Sequence, residues 1–143
     1  MFKWYKQAIK LHAGGESNFL IDCESLTNED LASVAGLVAT TYSFREVIGI
    51  PNGGLKFADA LRPYCKSESQ IVLIVDDVLT TGVSMREFRQ KLIGNGMYWR
   101  NIRGLALFVR DESSRPLWVQ GVFTLWAGKP LRKEGFCLHS RHR

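Results

Sequence analysis

Two adjacent aspartates, Asp76 and Asp77, are followed after Val78 and Leu79 by the run Thr80-Thr81-Gly82-Val83-Ser84. The hydroxyls of Thr80, Thr81 and Ser84 can donate to a phosphate, and Gly82 lets the backbone approach an anion closely. A loop entering a helix adds unpaired N–H groups and the positive end of the helix dipole. The acids call for a different partner. Two carboxylates would repel a phosphate, but they accept hydrogen bonds from neutral hydroxyls or hold a divalent cation. A ligand with a monoester phosphate at one end and a diol near the other satisfies both halves. Ribose 5-phosphate has that form.

The surrounding pattern says how these residues are held. Short β-branched runs occur at Val47–Ile50, Ile71–Val75 and Leu105–Val109. Runs of that length, apolar throughout, suit strands buried on both faces. A fourth run, Trp118–Trp126, also has strand character. Between them lie helical segments. Thr27 can cap a helix whose first turn holds Glu29 and Asp30, with Leu31, Val34, Ala35 and Val38 on one face. Leu55–Leu61 reads as a second helix, stopped near Pro63. A third starts around Val83, turns Phe88, Leu92 and Ile93 inward, and ends at Gly94-Asn95-Gly96. Strands alternating with helices imply crossovers and a parallel sheet, so the expected class is α/β. On this reading a buried strand ends at Val75, and the acids and the loop follow at its carboxyl end, where ligands of open α/β sheets collect.

A length of 143 residues fits one domain, and 45% hydrophobic with 23% charged residues is the composition of a soluble globular chain. No apolar run approaches the roughly 20 residues needed to span a bilayer. The segment MFKWYKQAIK lacks a long apolar stretch and a small-residue cleavage site, so the expected location is cytoplasmic. Cys23, Cys65 and Cys137 are odd in number and form no CxxC pair, which supports neither a zinc site nor a disulfide framework. The net charge is +5, and the last fifteen residues, from Lys129, carry five basic residues against Glu134. That basic tail can meet an anion or a partner subunit, or be a solvated terminus. The expected organisation is an N-terminal flap or hood over residues 1–22, a core over 23–128 and the tail over 129–143. A GxxxxGK[ST] loop is absent, which sets aside a nucleotide triphosphatase, and no element for reading DNA is recognisable.

The stretch VLIVDDVLTTGVS resembles the signature of type I phosphoribosyltransferases: four apolar residues, two acids, two variable residues, then a T-T/A-G-x-S/T loop. The resemblance implies a single-domain, Rossmann-like phosphoribosyltransferase fold with a small hood. It implies that Asp76 and Asp77, the catalytic pair, contact the ribose hydroxyls. Thr80, Thr81, Gly82, Val83 and Ser84 would hold the 5-phosphate of phosphoribosyl pyrophosphate. Upstream, Val47 to Gly54 runs from a strand into a glycine turn and resembles the family's pyrophosphate loop. There the amides of Asn52, Gly53 and Gly54 can hold a pyrophosphate without bringing charge.

The flanks are most similar to orotate phosphoribosyltransferase. Leu11 to Phe19 resembles that enzyme's N-terminal L-K-S-G-x-x-S-P-Y/F element, and Leu107 to Glu112 its strand ending in D-R-x-E. By this likeness Phe19 stacks on the base, and Arg110 reads its acidic or carbonyl edge. Three features depart from the pattern. His12 replaces a lysine, Asn52-Gly53 stands where the pyrophosphate loop carries one, and only Pro63 to Gln70 fills the place of a long, basic, mobile loop. Displacing pyrophosphate builds negative charge on the leaving group, so positive groups aimed at it matter most for rate. Lys66, Lys56 and Arg62 are the nearest basic residues in sequence.

The implied activity is Mg²⁺-dependent transfer of 5-phosphoribosyl to a nitrogenous base, with an orotate-like pyrimidine favoured. Magnesium would sit mainly on oxygens of the ligand and water. A non-catalytic regulator that binds phosphoribosyl pyrophosphate or a nucleotide is the alternative, and cleavage of a nucleotide by the reverse or a related reaction is a third. The implied partners are phosphoribosyl pyrophosphate, a base or nucleotide, and a second copy in a homodimer, with no membrane and no specific nucleic acid. Trp4, Trp99, Trp118 and Trp126 are either core or part of a self-association surface.

Overall fold

A computed structural model of the chain describes residues 2–10, 16–21 and 23–124. Strands β1 (Phe2–Lys10) and β2 (Glu16–Ile21) pair antiparallel as a two-stranded sheet, with an irregularity in register between Trp4 and Ile9. The remaining elements are α1 (Asn28–Thr41), β3 (Glu46–Gly49), α2 (Gly54–Leu61), β4 (Val72–Leu79), α3 (Val83–Gly94), β5 (Ile102–Val109) and β6 (Val119–Thr124). The four later strands form one sheet in the order β3-β4-β5-β6, and every neighbouring pair is parallel. The α/β class and parallel sheet are as the sequence predicts.

Side-chain alternation along the strands builds a core on each face. Leu73 and Val75 of β4, with Leu105 and Leu107 of β5, pack beneath α1 and α2 against Leu31, Ala35, Val38, Phe57 and Leu61. Ile74, Ile102 and Ala106 face the other way, toward Met85, Phe88 and Leu92 of α3. α1 starts at the predicted cap. Asp30 N–H donates to Thr27 Oγ1 at 3.1 Å and Thr27 N–H donates to Asp30 Oδ2 at 2.9 Å, a reciprocal capping box.

Three boundaries differ from the sequence reading. β4 runs through the two acids to Leu79 instead of stopping at Val75, because β5 continues to pair with it at Val78 and Leu79. In α3 the fully buried side chain is Met85, whereas Ile93, predicted to face inward, is 39% exposed. Met85, Phe88 and Leu92 carry the contact with the sheet, and Ile93 falls outside that stripe. The last strand is shorter than Trp118–Trp126. Trp118 precedes it, half-buried beneath the Arg89 guanidinium at 4.9 Å, and Trp126 lies outside the described residues.

The segment from Pro63 to Gln70 is a short connection at the amino ends of the strands. Lys66 N–H donates to Phe44 O at 2.8 Å, and Ser69 Oγ donates to Ser43 O at 3.1 Å, tying it to the loop before β3. Among the described residues, no helix is long and apolar enough to cross a membrane.

Candidate functional site

β3 and β4 lie side by side and parallel, so their carboxyl ends open on the same edge of the sheet. Each strand leads through a short turn into a helix, β3 into α2 and β4 into α3. The two turns and the two acids are therefore neighbours, although Asn52 and Ser84 are far apart in sequence.

The turn after β3 is pressed against β4. Ile50 N–H donates to Val75 O at 2.8 Å, extending the ladder one residue beyond β3. The Pro51–Asn52 peptide is cis. A Cβ at Gly54 would lie 2.5 Å from Val75 O and 3.1 Å from Asp76 Cα. At Gly53 it would lie 2.0 Å from Asp77 Oδ2. Gly54 needs glycine because main-chain atoms fill the space, while a side chain at Gly53 would have to displace the Asp77 carboxylate. Of the three amides expected to face a pyrophosphate, that of Gly54 is already committed, donating to Ile50 O at 2.9 Å. The amides of Asn52 and Gly53 have no backbone partner among the described residues.

Asp76 and Asp77 are partly buried in the last turns of the β4 ladder, with Asp76 opposite Ala106. Asp77 N–H donates to Asp76 Oδ1 at 2.9 Å, and Val78 N–H donates to Asp77 Oδ1 at 2.7 Å. Burial, followed by the hydrogen bond and charge of Asp77, pushes the Asp76 carboxyl up to about 8. Among the described residues, no cation contributes to that balance. The pair is thus short of positive charge or donor hydrogens, which a ligand's hydroxyls or a ligand-bound cation would supply. Among the described residues, no group of three or more His, Cys, Asp or Glu side chains is placed to hold a metal by itself.

The loop after β4 lines a small cavity of about 50 Å³ with Asp76, Thr80, Thr81, Gly82, Val83 and Ser84. Gly82 has φ 76°, the left-handed conformation, and is the N-cap of α3 without any side-chain cap. The first N–H groups of α3 are consequently left to a ligand or water, and no acid stands in its first turn. Neighbouring side chains brace the loop. Arg86 Nη1 donates to Thr81 O at 2.9 Å, Ser114 Oγ donates to Thr80 O at 2.8 Å, and Pro116 packs against Gly82. Sequence reading did not single out Arg86 or Ser114. Arg86 follows the loop within one helical turn, a visible signal, but Ser114 reaches it from 34 residues away.

A larger cavity, about 180 Å³, opens beside the glycine turn. Its polar side is Asn52, Gly53, Lys56 and Asp77. Its apolar side is Leu26, Leu31, Phe57 and Leu107, with Cys23. Lys56 is the one of the three nearby basic residues that reaches this space. Arg62 is ion-paired with Asp59 at the far end of α2, and Lys66 is in the connection at the opposite edge of the sheet.

Arg110 is placed at the carboxyl end of β5, its N–H donating to Leu79 O at 3.0 Å. It is only 8% exposed, burial pushes its guanidinium below the usual range, and it lines neither cavity. Phe19 stands opposite Trp4 in the hairpin, and its side chain lies outside the described residues. So do residues 11–15, Cys137 and the basic segment 129–143.

No protein-family profile matches the sequence, and no curated protein does. Solved structures do match in three dimensions. The orotate phosphoribosyltransferase from Aeropyrum pernix superposes with a TM-score of 0.64 at 24% identity, over 84% of this chain and 87% of that one. APRTase from Giardia lamblia, complexed with 9-deazaadenine, gives 0.66 at 15% identity over 84% and 93%. UMP synthase from Leishmania donovani gives 0.64 at 19% identity over 87% of this chain, which spans 33% of that longer protein. The chain has the fold these phosphoribosyltransferases share.

Proposed function

We propose that this chain, folded as the type I phosphoribosyltransferases are, binds 5-phosphoribosyl pyrophosphate and transfers its phosphoribosyl group to a nitrogenous base, releasing pyrophosphate. The observation that carries the reading is the meeting of three parts on one sheet edge. The uncapped start of α3 with Thr80, Thr81 and Ser84 suits the 5-phosphate. Asp76 and Asp77 suit the ribose diol. The amides of Asn52 and Gly53, beside Asp77, suit the pyrophosphate at the other end of the sugar.

Magnesium fits as a companion of the ligand. Two adjacent carboxylates are hard oxygen donors, and phosphate oxygens and water would complete a magnesium shell that the described residues alone do not provide. Once bound, the ion would neutralise part of the pyrophosphate charge. The acceptor we favour is an orotate-like pyrimidine, with Arg110 and Phe19 as the residues that meet it. Residence in the cytoplasm and a homodimer belong to the same proposal.

One observation favours a second reading, a regulator that binds the same ligand without turning it over. The connection before β4 is tied down at the amino ends of the strands, away from the site, so it cannot close over a leaving pyrophosphate. The test is calorimetric titration of phosphoribosyl pyrophosphate, with Mg²⁺, into the protein and into Asp76→Asn/Asp77→Asn, followed by assay of pyrophosphate release with orotate and other bases. Binding that the double variant loses, with release for one base, supports the transferase. The same binding without release for any base supports the regulator. An unmodified protein that binds neither this ligand nor any ribonucleotide 5-phosphate defeats both.

A further inference from the structure

We infer that Lys56 supplies the positive charge on the pyrophosphate side of the site, in place of a cation that the glycine turn itself cannot carry. The inference rests on the reading of the site as one for phosphoribosyl pyrophosphate. Its starting point is steric. A side chain at Gly53 would displace the Asp77 carboxylate, which a Cβ there would meet at 2.0 Å, and one at Gly54 would run into main-chain atoms of β4. With Asp77 in place, a turn of this shape can offer amides to an anion but not a side chain at either position. Among the described residues, the positions next in line to bring a charge to the turn are those at the start of α2.

α2 makes that choice. Leu55 and Lys56 are the exposed residues of its first turn, while Phe57 and Ala58 are buried in the core. Lys56 alone of these is charged, and it shares one cavity with Asn52, Gly53 and Asp77. It forms no ion pair among the described residues. Its competitors are excluded by position. Arg62 is about two helical turns further along and already paired with Asp59. Lys66 is bonded beside Phe44, ahead of β3, and the rise of β4 from Val72 to Asp77 separates that end from the acids by roughly 17 Å. A lysine ammonium is a mobile point charge on a long stem, suited to following phosphate oxygens that move away as a leaving group.

The arrangement also solves an electrostatic problem. Asp77 lies against the turn that is to hold an anion, and its carboxylate would repel pyrophosphate. An ammonium in the same cavity offsets that repulsion, while the carboxylate keeps its function toward the sugar hydroxyls.

The test compares two ligands that differ only on this side. Ribose 5-phosphate and phosphoribosyl pyrophosphate are titrated, with Mg²⁺, into the protein, Lys56→Gln and Lys56→Arg. Loss of one charge-assisted contact should weaken phosphoribosyl pyrophosphate by roughly 10- to 100-fold in Lys56→Gln. Ribose 5-phosphate should change less than about twofold, and Lys56→Arg should recover most of the difference. Equal weakening of both ligands, or no weakening of either, overturns the inference. If the unmodified protein binds ribose 5-phosphate but gains nothing from the pyrophosphate, the inference fails while the sugar-phosphate site stands. If it binds neither ligand, the site reading fails with it.

Discussion

The glycine at position 53 and the carboxylate of Asp77 occupy one space: a Cβ on the first would stand 2.0 Å from Oδ2 of the second. These residues lie on different strand–turn units, 24 positions apart in the chain. Their contact joins the glycine turn after β3 to the acids of β4. It also separates two kinds of damage that a small substitution can do.

Gly53→Ala should harm binding more than folding. The atoms it meets belong to the end of the Asp77 side chain, which can swing aside. The expected outcome is a melting temperature within a few degrees of the parent. Affinity for phosphoribosyl pyrophosphate should fall at least about tenfold, since Asp77 leaves the sugar side. Thermal unfolding and calorimetry on the same sample check both halves. A stable variant with unchanged affinity would show that Asp77 does not contact the ligand.

Gly54→Ala should do the reverse and lose stability. Its Cβ meets Val75 O at 2.5 Å and Asp76 Cα at 3.1 Å, both main-chain atoms of a central strand. Forcing them apart costs about 1–3 kcal/mol or more, as overpacking does elsewhere. Chemical denaturation measures it as a lower midpoint with an unchanged slope. A variant as stable as the parent would mean that the turn is not pressed against β4.

Gly82→Ala tests whether the loop after β4 holds the 5-phosphate. At φ 76° a side chain costs about 1–2 kcal/mol, while the nearest atoms, on Pro116 at 3.4 Å, are only in close contact. Stability should drop by that amount, and ribose 5-phosphate should bind more weakly as the loop relaxes. If stability drops while ribose 5-phosphate affinity holds, the 5-phosphate lies elsewhere.

Asp76 gives the ligand-free protein a pH signature. Its carboxyl is raised to about 8 in the folded state, against 3.8 for the ordinary group. A raised folded value means the native state holds its proton more tightly than the unfolded chain. The stability so contributed is fully present below about pH 4 and is lost as pH climbs toward 8. The slope is at most about 1.4 kcal/mol per pH unit, the linkage of one proton. Denaturation between pH 5 and 8 should therefore show stability falling with pH from this group, and Asp76→Asn should flatten the fall. An equal slope in both proteins would show that another group is responsible.

How much of this was open to sequence reading follows from the range of the interactions. The acids, the hydroxyl-rich loop and the start of α3 are consecutive residues, so their order alone told what chemistry they can do together. Strand and helix positions also followed from local periodicity and from the Thr27 cap, because those forces act within a few residues. The parallel register of β3 on β4 was not visible there. It places Gly53 on Asp77, selects Lys56 over Arg62 and Lys66, and commits the Gly54 amide to Ile50. Nor could composition show that β5 would carry the ladder past Val75 through both acids, or that Arg110 would be buried where β5 ends. Each of these depends on which distant backbone a strand meets and at what register. That is settled by burying both faces of the sheet at once, and only the tertiary structure decides it.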